Sequence, residues 1–217
     1  MKSATEFYNE IYFKRYLGQP SILGPANLFK FSDFITPQSN VLDFGCGPGL
    51  LLHTIDAADK IGIEINPIAR DFAKSIGIEK VYPDTSNVAD GWADVIISNH
   101  AMEHVEDPIP KFREFYRILK PAGKAIVVTP YDSVSKQFHE DDRDFHLFSW
   151  NPATIGNLAK ACGFKVIDSA EIVHRWPPKA EQIWITLGPS VFHLACRIYG
   201  HLRRSGTQVR VIAQKPD

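Results

Sequence analysis

The chain has 217 residues, of which 44% are hydrophobic and 14 are Phe, which is enough for one α/β domain with a sizeable core. Its 24 Lys and Arg residues nearly balance its 25 Asp and Glu residues, so no global charge favours nucleic acid as a partner. Cys46, Cys162 and Cys196 lie far apart, without the spacing of a zinc site or the density of a disulfide scaffold, which indicates a reduced, cytoplasmic protein.

The residues before position 40 predict helices and no strand. The first stretch carries charges throughout and has no apolar core of a signal peptide, so we expect no export. Aromatic side chains recur along it at helical spacing: Phe7, Tyr8, Tyr12, Phe13 and Tyr16. A second helix is predicted between Pro25 and Phe34.

From about residue 40, short β-rich runs alternate with helical patterns, which is typical of βα units and a parallel sheet. The runs are SNVLDFG, KIGIEI, IEKVYP, ADVIISN, GKAIVVTP, FKVIDSAEIV and QVRVIAQK. The last two are separated by a Trp/Pro-rich segment and one helical stretch, so we expect antiparallel pairing at that sheet edge. The predicted fold is a Rossmann-like, seven-stranded, mostly parallel sheet with helices on both faces and an antiparallel last strand.

Three predicted helices begin with an N-cap residue followed by proline, at Asn66, Asp107 and Asn151. The clearest helix ends near Pro121 and Gly123. Its apolar stripe, which we expect to lie on the sheet, consists of Ile109, Phe112, Phe115 or Tyr116, and Leu119.

A late helical stretch, Ser190 to Arg204, is amphipathic, and basic residues gather at its end. Polar and helix-breaking residues interrupt it and the segment before it, so a membrane-spanning helix is not expected. We expect its stripe to pack on its own domain, and the alternative is contact with a membrane surface or a partner. The stripe consists of Val191, Leu194, Ala195, Ile198 and Leu202.

The motif VLDFGCGPG combines a strand, three glycines at alternate positions and a following helix. This places backbone N–H groups at the carboxyl edge of the sheet, where a polar ligand binds. The dinucleotide fingerprint GxGxxG requires glycine where this chain has Leu50, and Asp43 would repel a pyrophosphate. These two features count against a dinucleotide, so an NAD(P)-dependent oxidoreductase is kept only as the alternative function. Asp43 favours a cationic or hydroxyl-bearing ligand.

The motif resembles the first motif of the class I S-adenosylmethionine-dependent methyltransferases, in particular the UbiE-like enzymes that act on small molecules. The likeness continues through IGIEIN, YPDTSNV, IISN and SNHAMEHVEDP, and through the helices and strands up to about residue 175 and the final strand. The resemblance implies S-adenosylmethionine as cofactor and S-adenosylhomocysteine as product.

The resemblance also implies a role for each residue of the cofactor set. Glu64 would accept hydrogen bonds from both ribose hydroxyls, Asp84 would accept from the adenine amino group, and Asp43 would help hold the amino-acid end. The loop with Gly45, Cys46 and Gly47 would let the methionine part lie against the backbone. Cys46 is interpreted as a small filler of the turn and not as a nucleophile. The set is completed by Ile65, Thr85 and Asn99.

Methyl transfer from a sulfonium is an in-line displacement, so the protein mainly holds the acceptor close to the methyl group and aligned with it. If the acceptor must lose a proton, histidine is the natural base, and His100 and His146 are the candidates. His104 and Trp150 are predicted acceptor contacts, although His104 also fits a structural role. We interpret the charged run from His139 to Asp144 as a solvated loop and predict no metal site.

We predict one methyltransferase domain, divided into an N-terminal helical lid (1–39), a cofactor-binding core (40–175), an amphipathic insertion (176–207) and the last strand (208–217). The resemblance implies the lid, and the alternative is plain core packing of its aromatic residues. The lid makes Tyr12 a predicted acceptor contact and indicates a small-molecule acceptor with apolar or lipid-like surface. A further alternative is a non-catalytic protein that keeps the cofactor pocket and docks a partner or membrane through its late helix.

Overall fold

The computed structural model describes residues 22–132, 136–140, 142, 144–203 and 206–217. The predicted N-terminal aromatic helix, and Tyr12 with it, lies outside the described residues. Among the helices of the described part, none combines the length and the apolar character that a membrane crossing requires.

A single seven-stranded sheet organises the molecule, in the order β3-β2-β1-β4-β5-β7-β6. The first five strands pair in parallel, and β7 runs antiparallel to both β5 and β6 at the sheet edge. The strands are β1 (Asn40–Phe44), β2 (Asp59–Ile63), β3 (Lys80–Tyr82), β4 (Ala93–Asn99), β5 (Leu119–Pro130), β6 (Lys165–Val173) and β7 (Thr207–Gln214). The predicted fold class and its antiparallel last strand are confirmed.

In the part of the chain that the structure describes, six α-helices accompany the sheet: α1 (Leu23–Asn27), α2 (Leu50–Thr54), α3 (Pro67–Ser75), α4 (Pro108–Ile118), α5 (Pro152–Ala161) and α6 (Ala180–Arg203). The continuous helix predicted from Pro25 to Phe34 is wrong, because α1 is followed by two 3-10 helices, Leu28–Lys30 and Ser32–Phe34. Helix α4 ends earlier than predicted, because the chain enters β5 at Leu119.

The predicted proline-led helix starts are confirmed at Pro67, Pro108 and Pro152. The Asn66 side chain accepts hydrogen bonds from two backbone amides of α3, and Asn151 forms a capping box with Thr154. Such caps satisfy amides that a helix start leaves without partners. Asp107 occupies the N-cap position of α4 without a capping hydrogen bond from its side chain.

Helix α4 lies on the sheet through Phe112, Phe115 and Ile118, which are completely buried. Each fully buried side chain of this size contributes about 1.5–3 kcal/mol through burial. Ile109 was predicted to join this stripe but is 43% exposed. Pro108, one residue earlier, occupies the buried position in the first turn instead.

Helix α6 is broken at Gly188, which has non-helical backbone angles and precedes Pro189. Beyond the break, Phe192, Cys196 and Gly200 form the buried face. The packing predicted for the apolar stripe is wrong for four of its five residues. The exposed fraction is 43% for Val191, 58% for Leu194, 51% for Ile198 and 76% for Leu202.

Candidate active site

A cavity of about 480 Å³ opens at the carboxyl edge of the parallel strands. The segments that follow β1, β2, β3 and β4 supply its walls. Seven residues that the sequence singles out line it: Gly45, Gly47, Glu64, Ile65, Asp84, His100 and His104. A smaller pocket, of about 60 Å³, shares the glycine loop and is lined by Asp43, Cys46 and Asn99. The predicted cofactor residues other than Thr85 thus surround two pockets that meet at one loop.

The glycine loop after β1 passes through left-handed backbone at Gly45, Gly47 and Gly49, where φ is 73°, 54° and 76°. The amide of Gly45 donates to the carbonyl of Ile63 at 2.8 Å, which ties the loop to the end of β2. A Cβ at Gly45 would lie 2.3 Å from the Cβ of Ala101, whereas a Cβ at Gly47 would meet no described heavy atom within 4 Å. Glycine at 45 therefore permits close packing within the protein, and the space beside Gly47 is available to a ligand.

Glu64 directly follows β2, and two backbone amides hold its carboxylate. Oε2 accepts from the amide of Gly47 at 2.9 Å, and Oε1 accepts from the amide of Asn66 at 2.8 Å. Burial raises the pKa of Glu64, while these hydrogen bonds and the charge of Arg70 act in the opposite direction. Each carboxylate oxygen has a second lone pair, so Glu64 has the capacity to accept a pair of hydroxyl groups from a ligand.

Asp84 and Thr85 follow β3, but their side chains lie in different surroundings. Asp84 is exposed at the cavity, and hydrogen bonds from the hydroxyl and amide of Ser86 lower its pKa. Thr85 is only 3% exposed. Its hydroxyl donates to Glu114 at 3.2 Å, so the structure does not bring this side chain to either pocket.

Asp43 lies at the smaller pocket and is only 2% exposed. Burial, together with the charge of Glu64, raises the pKa of Asp43 to about 8. Burial and the same two carboxylates also raise the pKa of the Cys46 thiol well above its usual value. A protonated thiol is a poor nucleophile, so the environment of Cys46 matches a filler of the turn.

Lys30 is a residue of this site that the sequence pattern did not single out. Its side chain is 2% exposed, and Nζ donates to Oδ1 of Asn99 at 2.8 Å. Burial lowers the pKa of Lys30 to about 7, although the charge of Glu103 acts in the opposite direction. Lys30 thereby places a group that titrates near neutral pH beside the small pocket.

His100 directly follows β4 and adopts left-handed backbone, with a φ of 57°. Its Nε2 lies 3.1 Å from Oε1 of Gln208, whose amide nitrogen donates to the carbonyl of His174. Since this orients the Gln208 oxygen toward the ring, Nε2 of His100 carries the proton. Burial and the charge of Lys30 lower the pKa of His100 to about 3, so the imidazole is neutral and a weak base.

The segment containing His146 is hydrogen-bonded to the 3-10 helix Met102–His104, although His146 lies 42 positions after His104 in the sequence. The backbone carbonyl of Glu103 accepts from the amides of Leu147 and Phe148, at 2.8 and 3.1 Å. The ring centroids of His104 and His146 are consequently 5.0 Å apart.

We name Glu103, His104 and His146 the Glu-His-His cluster. Nδ1 of His104 lies 3.2 Å from the carbonyl oxygen of Phe145, and Nδ1 of His146 lies 2.6 Å from Oδ2 of Asp132. Nε2 of His104 lies 3.7 Å from Oε1 of Glu103. Burial lowers the pKa of His104 to about 4 and raises the pKa of Glu103 to about 8.

The structure places one further predicted acceptor contact, Trp150, away from both pockets. Trp150 is 9% exposed and stacks on Phe148 with ring centroids 5.4 Å apart, and it is not among the residues that line either pocket. In the charged loop, of which residues 141 and 143 lie outside the described part, Lys136 forms ion pairs with Asp142 and Asp144 at 3.8 and 3.4 Å. Of the predicted lid, residues 1–21, which include Tyr12, are outside the described residues.

The profile of the family described as "Methyltransferase domain" matches residues 16–169 of the chain. The ubiquinone biosynthesis O-methyltransferase of Ruegeria pomeroyi is 27% identical over 178 residues, which cover 77% of this chain and 59% of that protein. The chain therefore spans less than two thirds of the length of this relative.

Solved structures share the fold. Phosphoethanolamine N-methyltransferase 2 of Haemonchus contortus, in complex with S-adenosyl-L-methionine, aligns with a TM-score of 0.70 at 16% identity, covering 100% of this chain and 61% of that chain. A SAM-dependent methyltransferase from Archaeoglobus fulgidus aligns with a TM-score of 0.66 at 19% identity, covering 94% of this chain and 98% of that chain.

Proposed function

The chain belongs to the class I S-adenosylmethionine-dependent methyltransferase family, and we propose that it transfers the methyl group of S-adenosylmethionine to a small-molecule acceptor bound in the cavity of about 480 Å³. The acceptor atom is oxygen, nitrogen or carbon. During the transfer the bond from sulfur to the methyl carbon breaks, the bond from the acceptor to that carbon forms, and the sulfonium becomes a neutral thioether.

The position of Glu64 is the observation that carries this proposal. Two backbone amides hold its carboxylate at the end of β2, beside the open space at Gly47. A carboxylate at this place in an α/β sheet is suited to the two ribose hydroxyls of a nucleoside. In the same arrangement Asp84 faces the adenine, and Asp43 and Asn99 lie toward the amino-acid end.

Catalysis in this proposal rests on proximity and alignment, which supply a large part of the rate enhancement when two reactants are held together. His100 is neutral and donates to Gln208, so its proposed role is to orient the acceptor. His146, whose ring contacts that of His104 beside the cavity, is then the proposed base that removes the proton of a hydroxyl or amine acceptor.

Calorimetric titration of the purified protein with S-adenosylhomocysteine and with NAD tests the cofactor assignment. We expect binding of S-adenosylhomocysteine and no binding of NAD, and the reverse result would assign the protein to the oxidoreductases. Incubation with methyl-labelled S-adenosylmethionine and a metabolite extract from the source cell then identifies the acceptor. Cofactor binding without any labelled product would favour the non-catalytic alternative.

The proposed roles of the histidines make a separate prediction. His100→Ala and His146→Ala should both retain S-adenosylhomocysteine binding, while at least one of them loses turnover by ~10²-fold or more. His53→Ala is the matched control, since His53 is exposed on α2. Full activity of both the His100 and the His146 variant would remove both residues from the catalytic steps.

We further propose an acceptor with apolar or lipid-like surface, reached at an anionic membrane surface through helix α6. The stripe formed by Leu194, Ile198 and Leu202 is exposed, and the basic residues Arg197 and Arg203 lie on the same helix. An exposed apolar stripe next to cationic side chains is typical of helices that lie in a lipid interface.

Co-sedimentation with vesicles tests the membrane contact. The protein should sediment with vesicles rich in phosphatidylglycerol and remain in solution with pure phosphatidylcholine. The double variant Leu194→Glu and Ile198→Glu should lose sedimentation and keep the melting temperature, because both side chains are already exposed. If the parent protein ignores both vesicle types, or if the double variant sediments like the parent, α6 is not a membrane contact.

A further inference from the structure

We propose that the Glu-His-His cluster binds a divalent transition metal ion at the wall of the cavity. Each of Glu103, His104 and His146 offers one ligand atom, and these atoms lie within 4.8 Å of one another. The two imidazoles and the carboxylate come from two segments that backbone hydrogen bonds join. Tetrahedral ligands at metal bonds of about 2.1 Å lie about 3.4 Å apart, so small side-chain rotations suffice to close the cluster around an ion.

The Glu103 carboxylate points to a missing ligand independently of this spacing. It is 1% exposed, and neither of its oxygens has a hydrogen-bond partner among the described residues. Lys30, whose charge acts on Glu103, donates instead to Asn99. A buried carboxylate without hydrogen bonds is costly, and a metal ion is a partner that removes this cost.

The imidazoles are oriented as metal ligands are. Nδ1 of His146 is bonded to the carboxylate of Asp132, and Nδ1 of His104 is bonded to the carbonyl of Phe145. Metal-binding histidines commonly have such a carboxylate or carbonyl on the second nitrogen, which fixes the tautomer and directs Nε2 to the ion. Nε2 of His104 is already 3.7 Å from the Glu103 carboxylate.

The donor set determines which metal is expected. Two imidazoles and one carboxylate suit Zn²⁺, Fe²⁺, Co²⁺ or Mn²⁺ and leave at least one coordination position open. Mg²⁺ prefers a shell of oxygen ligands, so this cluster disfavours it.

The role of the metal toward the acceptor rests on the proposed methyl transfer, whereas metal binding does not. His104 lines the cavity, so an ion held by it lies beside the bound acceptor. With the ion bound, His146 is a ligand and not a base. An acceptor hydroxyl that coordinates the ion then loses its proton to solvent, and the resulting oxygen anion attacks the methyl carbon as the sulfonium leaves as a thioether. The expected acceptor class is therefore a molecule with a coordinating hydroxyl, such as a phenol or an enol.

Titration of untagged, chelator-treated protein with Zn²⁺ and with Co²⁺ tests the site without any cofactor. We expect one bound ion per chain, visible absorption typical of nitrogen-ligated Co²⁺, and no binding of Mg²⁺ at the same concentration. Glu103→Gln, His104→Ala and His146→Ala should each weaken binding by ~10²-fold or more, and Asp132→Asn by about 10–100-fold. Binding by His53→Ala should match the parent, because His53 lies outside the cluster.

Two results would overturn the site: no binding of either ion up to ~100 μM, or binding that His104→Ala and His146→Ala leave unchanged. Far-UV circular dichroism of each variant separates loss of the site from loss of the fold. S-adenosylhomocysteine binding is measured in parallel on the same samples. Cofactor binding without metal binding refutes the metal site alone, and metal binding without cofactor binding refutes the proposed function alone.

Discussion

Replacing Glu64 by Gln changes a single atom of the side chain and tests how the cofactor is held. The Glu64 carboxylate accepts from the amides of Gly47 and Asn66 at 2.9 and 2.8 Å, one on each oxygen. A glutamine offers one oxygen and one NH₂ group, so one of these two backbone amides loses its acceptor. We expect a loss of about 1–3 kcal/mol in the free energy of unfolding from this unsatisfied donor.

The expected loss of ligand-binding free energy is larger than the loss from removing one neutral hydrogen bond. Hydrogen bonds to a charged group contribute about 1.5–3 kcal/mol each, and the proposed contacts involve two ribose hydroxyls. Because such contributions are not additive, we take about 3 kcal/mol, which corresponds to ~10²-fold weaker binding of S-adenosylhomocysteine. Glu79→Gln, at an exposed glutamate, is the control and should bind like the parent.

Calorimetry with S-adenosylhomocysteine and with its 2′-deoxy analogue separates direct contact from loop disorder. If Glu64 contacts the ribose, the parent protein distinguishes the two ligands and Glu64→Gln does so much less. If Glu64 only holds the glycine loop, the variant weakens both ligands equally and the ratio is unchanged. A folded Glu64→Gln variant with parental affinity would refute the proposed cofactor site.

Three further predictions concern the glycine loop and Asp43. Gly45→Ala should lower the free energy of unfolding by about 2–5 kcal/mol, because the new Cβ would lie 2.3 Å from the Cβ of Ala101. The control is Gly91→Ala, where φ is 61° and a Cβ would meet no described atom within 4 Å, and it should lower the same free energy by about 1–2 kcal/mol. Urea denaturation measures both changes. Gly47→Ala should lower the free energy of unfolding by a similarly small amount, because a Cβ at this position meets no described atom. It should nevertheless bind S-adenosylhomocysteine at least ~10-fold more weakly, because the open space beside Gly47 is assigned to the ligand. Unchanged affinity in calorimetry contradicts that assignment. The pKa of Asp43 is raised from 3.8 to about 8, so its contribution to stability is lost as the pH rises through this window. Between pH 5 and 7 the free energy of unfolding of Asp43→Asn should therefore rise relative to that of the parent by about 1.4 kcal/mol per pH unit. Urea denaturation at several pH values measures both proteins, and the same pH dependence in the two would refute the raised pKa.

Periodicity was sufficient to predict the fold, and the family resemblance selected residues that the structure places at one side of the cavity. Parallel strands bring their carboxyl ends to one edge, so Glu64 and Asp84, each next to a strand end, had to lie near the glycine loop. Helix starts were also predictable, because a cap followed by proline, as at Asn66 and Asn151, is a local signal.

The other side of the site depends on tertiary contacts that have no local signal. Lys30 reaches Asn99 across 69 residues, and Gln208 reaches His100 across 108 residues. A glutamate in a charged stretch is usually solvated, and only the folded chain shows that Glu103 is buried. These side chains become part of the site through packing between distant segments.

Helix α6 shows a different limit of sequence patterns. Leu194 and Ile198 form one apolar stripe, while Phe192, Cys196 and Gly200 form the opposite, buried face. A helix with apolar residues on two faces gives no unique prediction of the face that packs. The smaller residues Cys196 and Gly200 pack inside and leave the bulkier aliphatic residues exposed, which is the arrangement expected if those residues have another apolar partner.

Three buried ionisable groups near the two pockets are shifted toward the neutral form. The pKa of Lys30 falls to about 7, while the pKa values of Asp43 and Glu103 rise to about 8, in each case chiefly through burial. A ligand that brings positive charge to Asp43 returns this carboxyl to its ionised form, because an opposite charge nearby favours ionisation. In the proposed site Asp43 lies toward the amino-acid end of the ligand, whose ammonium group is present in both S-adenosylmethionine and S-adenosylhomocysteine. The proposed contact therefore ionises Asp43 with either cofactor, and the burial of Asp43 does not by itself distinguish substrate from product.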